Sequence, residues 1–256
     1  MSGINFLSVN NMDTSVLSVT SGTANAQYPL SNLLNASPSI KFQSTTASVT
    51  ILVDQTTTSP VDTIALVGDP TGELGIITAV FKSSVTTDFS LSTPINVTLS
   101  AEHNMGIEYI TEVSDRYWQI ELTGSSYSEL GNVFLGQRIN LPQNSISIAS
   151  FKYGHTDNSD VTTNEYGQRF IDSRNLSKSI DGNIDSCTKD ETETLDDMFL
   201  YHGITKPVWI ILDKDSSAMN DGGFRLSMYG YINKMPSWSA AGGQLYNANL
   251  SMVEFI

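Results

Sequence analysis

Few residues in this sequence could do acid–base, nucleophilic or metal chemistry, and those few are scattered. His103, His155 and His202 stand far apart with no partner motif beside any of them, and Cys187 is the single cysteine. There is no Gly-rich phosphate loop, no His-x-x-x-His pair and no Gly-x-Ser-x-Gly elbow. A reaction centre needs a nucleophile or base with an orienting partner, and no segment supplies one. The expectation is a protein that binds or builds rather than one that catalyses, with no cofactor and no resident metal.

The carboxylates give the same answer. Asp213-Lys214-Asp215-Ser216-Ser217 has oxygen ligands at alternate positions, as a calcium loop does. It departs from the EF-hand pattern, with Ala218 where the sixth position needs glycine and Phe224 where the twelfth needs glutamate. A solvated hairpin loop accounts for it better. Asp181-Gly182-Asn183-Ile184-Asp185 is rich in turn-forming pairs and is expected to turn toward the helix that follows. Asp196 and Asp197 are adjacent helix residues that point in different directions, so they do not form the spaced pair that flanks a glycosidic bond.

His202 reads either as a ligand or base, or as a partly buried histidine near a helix C-terminus, and the second is favoured. Tyr229, Tyr231 and Trp238 are the candidate interface residues. Tyrosine and tryptophan suit sugar stacking and subunit contacts alike. Alternate strand positions also let Tyr229 and Tyr231 face a core together. Trp238 follows Met235-Pro236-Ser237 and precedes Ser-Ala-Ala-Gly-Gly, so an exposed loop is expected there.

Composition narrows the classes further. The 256 residues carry a formal charge of −14 and a pI near 4.4, which excludes a nucleic-acid partner that needs clustered Lys and Arg. The charge also opposes contact with anionic membranes, and no apolar run approaches the ~20 residues of a spanning helix. The opening Met-Ser-Gly-Ile-Asn lacks the basic and apolar regions of a signal peptide, so synthesis in a cytoplasm is expected. One cysteine permits no disulfide within the chain. Only 16% of residues are charged, and Ser, Thr and Asn supply most of the polarity, which suits strands and turns.

The elements that would position these residues are mainly β. A boundary is expected near Leu141-Pro142-Gln143-Asn144, giving domains 1–141 and 145–256. In the first, Val49–Val53, Thr63–Val67, Ile77–Phe81, Ile95–Leu99, Tyr117–Leu122 and Val133–Leu135 read as strands of a sandwich or jelly roll. Tyr28-Pro29-Leu30-Ser31-Asn32-Leu33-Leu34 reads as one short helical turn. In the second, strands are expected at Ser145–Tyr153, Arg169–Ile171, Val208–Leu212, Phe224–Ile232 and Leu245–Ile256, with a polar turn from His155 to Asn164. Thr188-Lys189-Asp190-Glu191 forms a capping box for a helix near 189–202, striped by Leu195, Met198, Phe199 and His202 and stopped by Gly203.

Ala26-Gln27-Tyr28-Pro29-Leu30-Ser31-Asn32-Leu33-Leu34 followed by Pro38-Ser39-Ile40-Lys41-Phe42-Gln43-Ser44 resembles the opening of N-terminal domains in bacteriophage virion proteins. Asp62–Gly68, Arg116–Ile120 and Gly131–Gly136 follow in the same order. Most of residues 20–140 thus resembles a discoidin, galactose-binding-like jelly roll. His202-Gly203, Lys206-Pro207-Val208-Trp209, Ile210–Asp213 and Tyr229-Gly230-Tyr231 resemble the C-terminal domain that accompanies it in tail proteins. The sugar-binding loop aromatics of discoidin domains are absent, so no glycan residue carries over.

The resemblance implies a structural component of a bacteriophage virion, in the distal tail or baseplate, made in the host cytoplasm. It would assemble with other virion proteins and with copies of itself in a ring. The alternative is a carbohydrate- or receptor-binding module for host-surface glycan, and a hydrolase with dispersed carboxylates is the third reading.

Overall fold

The computed structural model describes residues 4–69, 75–141, 152–157, 159–172, 176–212 and 227–255. Phe6–Ile139 form one compact unit, and the described residues before and after that span form a second. Both are β-rich, and one α-helix lies in the second. The expected linker 142–144 and the acidic turn after Leu212 lie outside the described residues, as does most of Ser145–Tyr153.

The first unit is a sandwich. One sheet orders Val16–Ser21, Ser48–Asp54, Tyr117–Thr123, Thr78–Ser84 and Ile95–Asn96; the other orders Asn132–Gly136, Val61–Val67, Met105–Val113 and Thr98–Ser100. Period-2 alternation turns Val49, Ile51 and Val53 inward, opposite Leu122, Ile120 and Trp118 on the neighbouring strand. Phe81 and Ala79 extend these rows on the third strand, and Ile64, Leu66, Val133 and Leu135 close the core from the facing sheet. Each fully buried aliphatic side chain of this kind contributes about 2 kcal/mol of hydrophobic stabilisation.

The expected strand Ile95–Leu99 is two strands. Ile95–Asn96 pairs with Val80–Phe81 in one sheet, and Thr98–Ser100 pairs with Met105–Ile107 in the other. Val97 is buried at the crossover, its N–H donating to the Ala79 carbonyl. An unbroken apolar run does not reveal that the backbone leaves one ladder for another. Tyr28–Leu34 does form a helical turn, a 3-10 turn over Leu30–Leu34 with Pro29 as the residue before it.

The second unit is built on a sheet that contains, in order, Val208–Leu212, Ser227–Ile232, Leu245–Glu254, Leu176–Cys187 and Lys152–Asp157, with Ser239–Gly242 paired to Leu245–Glu254. Asp181–Asp185 is not a turn but the middle of a twelve-residue strand. Its backbone pairs with Ala248–Ser251, and Ile180 and Ile184 are buried, so ladder and core override the local turn preference.

The segment from His155 to Asn164 is likewise mostly strand. Lys152–Asp157 pairs with Leu176–Asp181, and Asp160–Thr163 pairs with Arg169–Asp172 as a ribbon whose turn is at 164–168. The helix Lys189–His202 carries its capping box: the Thr188 hydroxyl accepts from the Glu191 N–H, and the Glu191 carboxylate accepts from the Thr188 N–H at 2.7 Å. Leu195, Met198, Phe199 and His202 are its buried stripe. Among the described residues no helix is long and apolar enough to cross a membrane.

Candidate functional site

The described parts of four connections meet at one end of the sandwich: 22–47, 68–69 with 75–77, 101–104 and 124–131. The strand registers place Ser48, Thr78 and Thr123 side by side there, and Val67, Met105 and Asn132 likewise on the facing sheet. Backbone bonds tie the connections together: Gly124 N–H to Ala47, Glu129 N–H to Gly75, Gly131 N–H to Val67 and Gly68 N–H to Asn104. Gly124 is required by close approach, since a Cβ would fall on the Tyr127 carbonyl.

The chemistry at this end comes from a polar cluster. Phe42 and Leu130, both fully buried, anchor a two-residue ladder that sets Gln43 opposite Glu129. Lys41 Nζ donates to Asp69 Oδ2 at 3.0 Å and to Glu129 Oε1 at 2.8 Å. Gln43 Nε2 donates to Glu129 Oε2 at 3.0 Å, and Gln43 Oε1 accepts from Asn25 Nδ2 at 2.9 Å. Asn32 Nδ2 donates to the Lys41 carbonyl and Asn104 Nδ2 to the Asp69 carbonyl, so both charged residues are fixed through their backbones. Burial works against the Lys41 ammonium, but the hydrogen bonds and charges of Glu129 and Asp69 together outweigh it and hold its pKa above the usual lysine range.

Tyr28 completes the arrangement. The residue is 36% exposed, and its ring centroid lies 5.7 Å from Lys41 Nζ, within cation–π range. Its carbonyl accepts from the Gln43 N–H, and Pro29 sets the start of the turn that follows. A flat aromatic face therefore sits beside an ordered row of donors and acceptors. Such a surface can stack on the C–H face of a sugar and bond its hydroxyls. The sequence contained Tyr28, Lys41 and Gln43 within one motif, but Asp69 and Glu129 lie 28 and 88 residues from Lys41. No local pattern announces that convergence.

The residues singled out in the sequence lie elsewhere. Tyr229 is buried between Trp209 and Phe255, with ring centroids at 5.1 and 6.1 Å, and Tyr231 meets Phe255 at 4.4 Å. The two tyrosines thus share one aromatic cluster, as alternate strand positions allow. Trp238 is half-buried rather than exposed. It packs 6.4 Å from Phe199, and its Nε1 donates to Asp196 Oδ1 at 3.2 Å. The Asp196 carboxylate on the helix satisfies the indole N–H within the chain.

The histidines do not converge. His103 is half-buried in the 101–104 connection, His155 bonds Tyr153 at 3.2 Å, and His202 is buried with its ring 5.1 Å from Tyr201. Burial first, then the charges of Glu191 and Asp185, pushes the Cys187 thiol up to about 11, the state of an inert core thiol. Among the described residues no three His, Cys, Asp or Glu are placed to hold a metal ion.

No protein-family model matches the chain, and no curated protein does. Among solved structures, half of the chain is similar to CBM32-1 from a family 31 glycoside hydrolase from Clostridium perfringens, at 12% identity and a TM-score of 0.42, over 97% of that module. It is similar to the family 32 carbohydrate-binding module from C. perfringens NanJ in complex with galactose at 11% identity and TM-score 0.42, over 51% of this chain and 98% of that one. A Ruminococcus gnavus GH29 fucosidase in complex with fucose matches at 13% identity and TM-score 0.43, over 51% of this chain and 27% of that one.

Proposed function

We propose that the chain is a non-catalytic recognition protein whose Phe6–Ile139 sandwich takes a carbohydrate at its loop end. The observation that supports this is the ring of half-exposed Tyr28 beside the fixed Lys41–Asp69–Glu129–Gln43 row. Sugars need an apolar face and paired donors and acceptors held in advance, because preorganisation spares the entropy of ordering them on binding. Titration calorimetry of the full chain with galactose and other monosaccharides tests it. Binding that Tyr28→Ala abolishes, with the circular dichroism spectrum intact, supports the reading. Absence of binding across neutral and acidic sugars sinks it.

A second reading, assembly into a bacteriophage tail with copies of itself in a ring, draws support from a different element. Among the described residues the ribbon Asp160–Thr163 with Arg169–Asp172 pairs with no other strand, and it exposes Val161, Phe170 and, at 82%, Tyr166. Two-stranded ribbons are marginal alone in water, and docking of these exposed apolar side chains on a neighbouring copy would stabilise this one. Light scattering of the wild type against Phe170→Ser separates the readings: a concentration-dependent oligomer lost in the variant favours assembly, and a strict monomer in both removes self-assembly through the ribbon.

A further inference from the structure

We infer, on the basis of the carbohydrate reading above, that the loop end accepts uncharged sugars and rejects acidic ones. Residues 6–139 contain twelve Asp and Glu against four Lys and Arg. All four cations are engaged by carboxylates of the same unit. Lys41 is held between Asp69 and Glu129, Lys82 is 2.6 Å from Glu121, Arg116 grips Asp54 at 2.7 and 2.9 Å, and Arg138 lies 3.8 Å from Asp62.

Recognition of a sugar carboxylate, sulfate or phosphate calls for a cation with free donors and uncompensated charge. The loop end has one cation, Lys41, and it is shared by two buried carboxylates, so the triad itself is net negative. Glu102, exposed on the 101–104 connection, adds to the same sign at this end. An acidic sugar placed on Tyr28 would meet like charge in a partly desolvated setting, and the carboxylates that hold Lys41 would have to release it. Juxtaposed like charge is an established means of rejecting a wrong partner. A neutral sugar meets no such barrier. Its hydroxyls both donate and accept and carry no charge, so they bring no like charge against the triad.

Pairs that differ only at C6 give the test: galactose against galacturonate, glucose against glucuronate and mannose against mannuronate, titrated into the full chain at pH 8. The expected result is at least tenfold tighter binding of the neutral member of whichever pair binds. The gap should narrow between 20 mM and 500 mM NaCl as charge is screened, and narrow again in Glu102→Gln. Equal or tighter binding of the acidic member overturns this inference and leaves the carbohydrate reading standing. Failure of every sugar to bind a folded protein overturns both.

Discussion

At the residue scale, two buried polar sites of the sandwich, at Lys41 and at Gln55, have opposite energetic characters. The Lys41 triad is fully paired, whereas Gln55 is 1% exposed and neither side-chain polar atom has a hydrogen-bond partner among the described residues. A buried unpaired amide forfeits its hydration without replacement. Gln55→Met, similar in volume, is therefore expected to raise unfolding stability by about 1–2 kcal/mol, read by urea denaturation. Lys41→Met should do the reverse and cost about 3 kcal/mol at pH 8, because it strands two buried carboxylates. The pH dependence of that cost follows from the raised folded pKa of Lys41. A group raised on folding contributes its full stability below its unfolded value, about 10.4 for lysine, and loses it as pH climbs through the folded value. The gap between wild type and Lys41→Met should thus hold constant from pH 8 to pH 10 and shrink at pH 11. A gap that widens above pH 10 would refute the assignment.

At the element scale, local signals succeeded wherever backbone groups are satisfied locally. The capping box at Thr188 and Glu191 was readable because both of its bonds lie within four residues. Thr188→Ala should cost about 1 kcal/mol, with loss of helical ellipticity on the same urea curve. Asp181–Asp185 shows the limit: its residues favour a turn, yet pairing with Ala248–Ser251 makes it a strand. The partner lies some seventy residues away, beyond any window of local preference. The ribbon Asp160–Asp172 yields a cleaner separation of fold from function. Phe170→Ser removes an exposed ring, so stability should stay within about 0.5 kcal/mol of wild type. Loss of oligomer at unchanged stability would make the ribbon an assembly element, and loss of both would make it structural.

At the scale of the whole molecule, the division of the chain into two compact units predicts two unfolding events. Trp118 lies in the sandwich core, while Trp209 and Trp238 report the other unit. Thermal melts followed by fluorescence in wild type and Trp118→Phe should resolve the two steps. A sugar bound at the loop end should stabilise only the step that Trp118 reports, by about 2.7 kcal/mol at a hundredfold excess over Kd. A shift of the other step alone would place the ligand outside the sandwich. The net charge of −14 acts on both units. It favours solubility and gives any self-association a barrier that salt lowers.

The sequence by itself determined the β-rich class, the inward rows around Trp118, the helix with its cap and stop, and the scarcity of groups able to catalyse. Each of these follows from composition or from spacing within a few residues, where periodicity and hydrogen bonding are local. Only the tertiary structure decided that Ile95–Leu99 splits between two sheets, that Trp238 rests on the helix, and that Lys41 meets Asp69 and Glu129. Those outcomes depend on which distant strands share a ladder and which loops close over one end. That choice is made by burial summed over the whole unit, because side-chain identity at a position fixes what it can bond but not which partner the chain will bring to it.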